Sequence, residues 1–478
     1  MDGMEAKARS DELSREAEEA QEEGAGSDDL NPIDRQYAVQ SDVPRRIHIL
    51  GMGSIGKLVA HSLRGVADPP PVTLMLHKYR QLYAWEEGKQ EITIQDDGHA
   101  VSRGGFDVEL LPPGRREHGV EVLGAPSVHD VAKATNTAPH EAAQLLSQQP
   151  TPFPPAEEEQ KYHPKFRRSS RDRSPRRQEL DYARSQLPIH NLIVATKAST
   201  TIPALLSLKN RIGRDSTICF LQNGMGIIDD VNASIFPSEE DRPNYVQGII
   251  THGVNVPPEM AEQDPFFAVH AGHGTIALGL LPRKPVSVSD PSGAQKEIWA
   301  PTARYLLRTL TRVPTLCAVG FTPTELLQQQ LEKLAVNSIL NPLTSLLDAR
   351  NGSLLHNFAL TRTLRLMLAE TSLVIRSLPE LQHIPNVKIR FSPERLESLV
   401  VSVAEKTRDN ISSMLADVRA GKRTEVEWIN GYIVRRGEEL GIKCVVNYGM
   451  MMAVVGKSDV IKKELGQALP VAGRRRHE

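Results

Sequence analysis

The chain has 478 residues, a formal net charge of −2 and three cysteines, a length that allows two or three domains with real cores. The charge balance excludes a protein basic enough overall to coat nucleic acid or a membrane surface, and no apolar run approaches the roughly 18 residues of a transmembrane helix. Cys219, Cys317 and Cys444 form no CxxC pair, which suits a reducing compartment and argues against a structural zinc site or a disulfide framework; no metal is expected.

Residues 1–44 are rich in Glu, Asp, Ser and Gly and poor in large apolar side chains, so they are expected to form a disordered leader. They lack the apolar centre of a signal peptide and are too acidic for a transit peptide. Cytoplasmic localisation is expected, with the mitochondrion as the alternative.

The first folded element is predicted at RRIHILGMGSIGKLVAHSLRG, residues 45–65. A short strand ends in Gly51-Met52-Gly53-Ser54-Ile55-Gly56, and a helical pattern follows. In that setting GxGxxG points to dinucleotide binding. Gly51 permits the tight turn, Gly53 lets backbone approach a pyrophosphate, and Gly56 lets helix and strand pack closely. A plain βα turn is the alternative. The next strand, 72–78, ends in His77, Lys78, Tyr79 and Arg80 rather than in an acid. Cations there suit a ribose 2′-phosphate, with Lys78 the first choice, so NADP(H) is favoured over NAD. Solvated loop charges are the alternative.

Residues 92–111 look like a hairpin turning at Asp96-Asp97-Gly98. From 113 to 187 the chain is rich in Pro, Gln, Ser and Arg without periodicity, which predicts a largely disordered insertion. Its basic run at 165–177 reads as a solvated tether more readily than as an RNA contact. Strands resume within 190–200, at Leu192 to Ala195, and within 216–230, at Ile218 to Leu221, with further strands at 246–256 and 273–281. Lys197 and Asn223 fall at strand carboxyl ends, where α/β sheets bind ligands. From about 300 the pattern is helical, with loops near 350 and 385.

The segment 332–355 is the most informative. Projected as a helix, Ala335, Val336, Ile339, Leu340 and Leu343 share one arc, while Lys333, Asn337, Ser338, Asn341, Thr344 and Ser345 share the other. Asn, Ser and Thr are poor helix formers and unusual on a merely solvated face, so the stripe looks like the wall of a polar site; an ordinary amphipathic helix with a solvated polar face is the alternative. Pro342 is expected to kink or end the helix. Residues 410–442 read as two helices joined at Gly421. Ser412 or Ser413 can cap the first, and Glu425 begins the second.

Taken together, ILGMGSIGKL, the Lys197 strand end, LQNGMG, KLAVNSILNPLTSLLDARNGSLL and NISSMLADVRAGKRTEVEWINGYI resemble the ketopantoate reductase (2-dehydropantoate 2-reductase) family over most of 45–115 and 188–460. The resemblance implies an α/β fold: a Rossmann-type NADP-binding domain over 45–290, an all-α substrate domain over 295–465 and a basic tail over 466–478. It implies NADPH-dependent reduction of 2-dehydropantoate to (R)-pantoate, on the route to pantothenate and coenzyme A. Lys333 matches the catalytic lysine, and Lys197, Asn223, Val254 and Glu425 match positions at the cofactor. Asn337, Asn341, Asn351 and Ser413 match substrate contacts, and Asn410 is a further candidate. A small 2-keto acid is the expected partner and a homodimer is compatible; membrane and nucleic-acid partners are not expected. Two alternatives stay open. One is a related reductase of another 2-keto acid or lactone. The other is a non-catalytic protein of this fold that binds RNA or protein through the basic insertion.

Overall fold

The computed structural model describes residues 43–111, 115–117, 120–122, 187–282 and 299–468. Its strands are β1 (Ile47–Leu50), β2 (Val72–Leu76), β3 (Ile92–Asp96), β4 (His99–Arg103), β5 (Asp107–Leu110), β6 (Arg115–Glu117), β7 (Val120–Val122), β8 (Asn191–Val194), β9 (Thr217–Phe220), β10 (Asn244–Ile250), β11 (Gly253–Asn255), β12 (Phe267–Gly272), β13 (Ile276–Leu281) and β14 (Ala318–Gly320). The helices are α1 (Ser54–Leu63), α2 (Tyr79–Glu87), α3 (Ala198–Leu206), α4 (Ile227–Ser234), α5 (Pro258–Gln263), α6 (Pro301–Thr311), α7 (Pro323–Leu347), α8 (Phe358–Ser377), α9 (Val387–Arg390), α10 (Pro393–Lys406), α11 (Ser413–Arg419), α12 (Val426–Glu439) and α13 (Val445–Ala468).

β1, β2, β8 and β9 are short apolar runs because both faces of their sheet are covered. Every residue of the four is buried. The main sheet has the order β14-β13-β10-β9-β8-β1-β2-β5, parallel except where β10 meets β13. Ile47, Ile49 and Leu74 point to the side packed by α1 and α6. Leu50, Met75 and Val194 point to the side packed by α3 and α4. A second sheet, β11-β12-β3-β4, lies against α1. Lys57 of α1 fastens the two: its Nζ donates to the Phe267 carbonyl of β12 at 3.0 Å.

The helical half has its own core, built around α7, which packs against α8, α10, α11, α12 and α13. Thr322 and Glu325 form a capping box at the start of α7, with Pro323 in its first turn. No helix among the described residues is long and apolar enough to cross a membrane.

Several expectations need correction. The 92–111 hairpin is only β3 and β4, joined at Asp97 and Gly98 with φ of 45° and 83°. β5 leaves it to pair with β2 in the main sheet. The region after 300 is not wholly helical, because β14 adds a three-residue edge strand beside β13, too short to show a period. Pro342 does not end α7, which runs through it to Leu347. Proline leaves the Ser338 carbonyl without its helical donor, and Asn430 Nδ2 of α12 takes the place at 2.8 Å. Residues 1–42 of the expected leader, 469–478 of the expected basic tail and most of the 113–187 insertion lie outside the described residues; α13 runs three residues into the expected tail, and within the insertion β6 and β7 pair antiparallel.

Candidate active site

The carboxyl ends of β1, β8, β9 and β10 stand side by side in the main sheet. At the end of β1 the chain turns through Gly51, with φ 102°. A Cβ on Gly56 would lie 1.9 Å from the Gly51 carbonyl oxygen, so only glycine lets α1 start this close to β1. Gly53 has nothing within 4 Å of where its Cβ would be, and no side chain caps α1. Open space in front of uncapped helix N–H groups fits a pyrophosphate. Met52 is buried beneath this turn, Gly53 is exposed, and Ser54 and Ile55 are half-buried. Lys78 is exposed at the end of β2, where it is the N-cap residue of α2.

At the ends of β8, β9 and β10 lies a chain of polar contacts. Lys333 of α7 donates to Asn223 Oδ1 at 2.8 Å and to the Ile250 carbonyl at 2.6 Å. Asn223 Nδ2 donates to Glu425 Oε2 at 3.3 Å, which fixes the orientation of that amide. Glu425 Oε1 accepts from the Ala198 backbone N–H at 3.2 Å. Glu425 thus serves the N-terminus of α3 rather than that of its own helix, a favourable place for a carboxylate. Lys197 Nζ pairs with Asp417 Oδ2 at 2.7 Å and lies 3.8 Å from Glu425 Oε2. Adjacent strands are roughly 4.8 Å apart, so β9 with Asn223 stands about 10 Å from β1 and its glycine turn.

The two lysines titrate in opposite senses. Burial pushes Lys333 down to about 8, with Glu425 opposing. Burial also pulls on Lys197, but Glu425 and Asp417 outweigh it and hold that ammonium above the usual lysine value. Within one cluster, therefore, Lys197 is held charged, while Lys333 is the ammonium that gives up its proton more readily.

Asn337, one turn along α7, lines a pocket with Lys333, Gln330, Asn223, Gly224 and Gly248. Asn341 is buried a turn further on. A second group lies near Thr344, roughly 16 Å along the helix from Lys333. There Thr344 Oγ1 donates to Ser412 Oγ at 2.8 Å, and Ser412, not Ser413, caps α11. Asn351 is buried; its amide nitrogen donates to Thr407 Oγ1 at 2.9 Å and its backbone N–H to the Asn410 carbonyl at 3.0 Å. Asn410 and Ser413 are exposed. Val254, in β11, is half-buried against the core that packs α1.

Sequence reasoning missed Asp417, although it stands inside a motif already singled out. An acid amid NISSMLADVRAG gives no sign that its partner is Lys197. The Ile250 carbonyl left no signal at all, since a backbone acceptor can belong to any residue.

Two family descriptions match the chain: "Ketopantoate reductase PanE/ApbA" over residues 153–283 and "Ketopantoate reductase PanE/ApbA C terminal" over 325–457. The first match starts inside the expected insertion and leaves out the glycine turn. A probable 2-dehydropantoate 2-reductase of Schizosaccharomyces pombe is 30% identical over 266 residues, covering 55% of this chain and 73% of that protein. A ketoisovalerate reductase of Beauveria bassiana is 22% identical over 450 residues, covering 86% of this chain and 82% of that one. Among solved structures, D-mandelate dehydrogenase with NADH and anilino(oxo)acetate shares the fold, with a TM-score of 0.57, 14% identity, and coverage of 87% and 99%. On these matches the chain belongs to the ketopantoate reductase family of oxidoreductases.

Proposed function

We propose that the protein reduces 2-dehydropantoate to (R)-pantoate with NADPH, on the route to pantothenate and coenzyme A, with Lys333 as the proton donor. One observation carries this reading. A protonated lysine has three N–H donors, and Lys333 spends two on Asn223 and Ile250. The third is left for a substrate carbonyl, and the two fixed acceptors aim it.

A bound nicotinamide supplies the hydride that the keto carbon accepts. Lys333 polarises the carbonyl, then gives the oxygen its proton; a positioned general acid contributes about 10² to 10⁴ in rate. Asn337 and Asn341 offer amides to the substrate's carboxylate and hydroxyl without adding charge, and Asn351, Asn410 and Ser413 form the farther wall. Gly51 to Gly56 receive the pyrophosphate. Lys78 meets the 2′-phosphate, while Lys197, Asn223, Val254 and Glu425 line the cofactor.

A second reading, reduction of ketoisovalerate, is favoured by the Beauveria relative, whose similarity spans 86% of this chain against 55% for the fission-yeast protein. Nicotinamide oxidation by purified protein decides between them. The expected result is turnover of 2-dehydropantoate at a kcat/KM at least about tenfold above ketoisovalerate, and of NADPH above NADH. That preference amounts to about 1.4 kcal/mol. The opposite substrate order would favour the second reading, and no turnover of any 2-keto acid would refute both.

A further inference from the structure

Away from the lysine cluster, four side chains with metal-binding chemistry meet where β10 gives way to β11. Asp96 ends β3, His270 lies in β12, His273 follows β12 and His252 follows β10. Ligand atoms of Asp96, His270 and His273 all lie within 4.8 Å of one another. His270 Nδ1 is 3.4 Å from Asp96 Oδ2, and His273 Nε2 is 3.0 Å from Asp96 Oδ1.

Hydrogen-bond accounting fixes the protons. The Leu316 carbonyl can only accept, so His252 Nε2, 2.9 Å away, carries hydrogen. The Gly274 N–H donates to His252 Nδ1 at 3.1 Å, so that nitrogen is bare. His270 Nε2, 3.0 Å from the same atom, must then be a donor. In a neutral ring this leaves His270 Nδ1 with a lone pair facing a carboxylate. The residue is only 3% exposed, and Nδ1 makes no hydrogen bond. A proton shared with Asp96 would draw the two atoms to about 2.7–2.9 Å. The observed 3.4 Å instead matches two ligands of one tetrahedral ion: with bonds near 2.0–2.1 Å, the ligands stand about 3.3 Å apart.

We propose that Asp96, His270 and His273 bind a single Zn²⁺ ion, with water as the fourth ligand on the solvent side, where His273 is exposed. Two imidazoles and one carboxylate suit zinc better than magnesium or calcium. The His270–His252–Leu316 chain is the outer support that metal-bound imidazoles use to hold their orientation. The site is structural. It joins β3 to β12, and through His252 it braces the segment just past Ile250, whose carbonyl aims Lys333. The expectation of no metal came from the cysteines; these ligands share no motif because β3 and β12 are far apart in the chain.

The test uses full-length, tag-free protein stripped with a chelator and titrated with Zn²⁺, and with Co²⁺ as a spectroscopic probe. Metal content, thermal unfolding and the visible bands of tetrahedral Co²⁺ are read in the wild type, His273→Ala and Asp96→Asn. The wild type is expected to bind one equivalent and to unfold at higher temperature with Zn²⁺. Both variants should bind more than about tenfold more weakly and lose the Co²⁺ bands. His273 is exposed, so its removal spares the core and keeps the test valid if Asp96→Asn folds poorly. Failure of the wild type to bind, or binding undiminished in His273→Ala, would overturn the proposal.

Discussion

Lys333 and Lys197 are chemically identical, and their neighbours alone give them different work. Lys197 has two carboxylates and stays charged; Lys333 has an amide oxygen, a carbonyl and a buried setting that brings it to about 8. If Lys333 acts as an acid, it works only while protonated. The rate on the keto acid should hold below that value and be lost as pH rises through it. Glu425 is the group that holds the lysine up. In Glu425→Gln the acceptor for the Ala198 N–H is kept but the charge is gone, so the pH at which kcat/KM falls should move down by about one unit. An unmoved profile would show that Glu425 does not tune the proton donor. The residue types of this cluster were visible in the sequence, since a lysine amid asparagines is an unusual choice for a solvated helix face. Asp417 and the Ile250 carbonyl were not, because their roles exist only once distant segments meet.

The elements that position the site were legible in uneven degree. Strands buried on both faces announced themselves as apolar runs, and the glycine turn by its spacing. β14 and the departure of β5 from the hairpin were invisible, because three or four residues carry no usable period. α7 is the instructive case. Local chemistry said that Pro342 should kink or end it; the helix does not end there, and α12 supplies the missing donor. Asn430 Nδ2 also donates to Asn447 Oδ1 at 3.0 Å, and Asn447 Nδ2 reaches the Met367 carbonyl and Glu370. Four helices are thus tied together through one buried amide pair. Asn430→Leu leaves the Ser338 carbonyl unpaired and should cost about 3 kcal/mol in urea unfolding. In a Pro342→Ala background the helix regains its own N–H for that carbonyl, so the same substitution should cost at least about 1 kcal/mol less. Equal costs in the two backgrounds would mean that Asn430 does not replace the proline's missing donor.

At the scale of the whole molecule, the excursion between β5 and β8 is closed at its base. Arg211 binds Glu109 of β5 at 2.8 Å and the Leu187 carbonyl, where the described chain resumes, also at 2.8 Å. The sheet's central strands therefore stay in register across the longest stretch outside the described residues. The two halves divide the chemistry. On the proposed function the first, with its glycine turn, would hold the cofactor; the second delivers an ammonium across the strand ends from a helix rooted in a separate core. This division was legible as a change from strand to helix periodicity, while the facing of Lys333 onto β9 and β10 was not. The most direct test is Lys333→Ala, measured for kcat on 2-dehydropantoate and for the NADPH dissociation constant. The account predicts a fall in kcat of about 10² to 10⁴, with NADPH binding changed by less than about threefold, some 0.7 kcal/mol. Equal losses in turnover and cofactor affinity, or full turnover without the lysine, would contradict it.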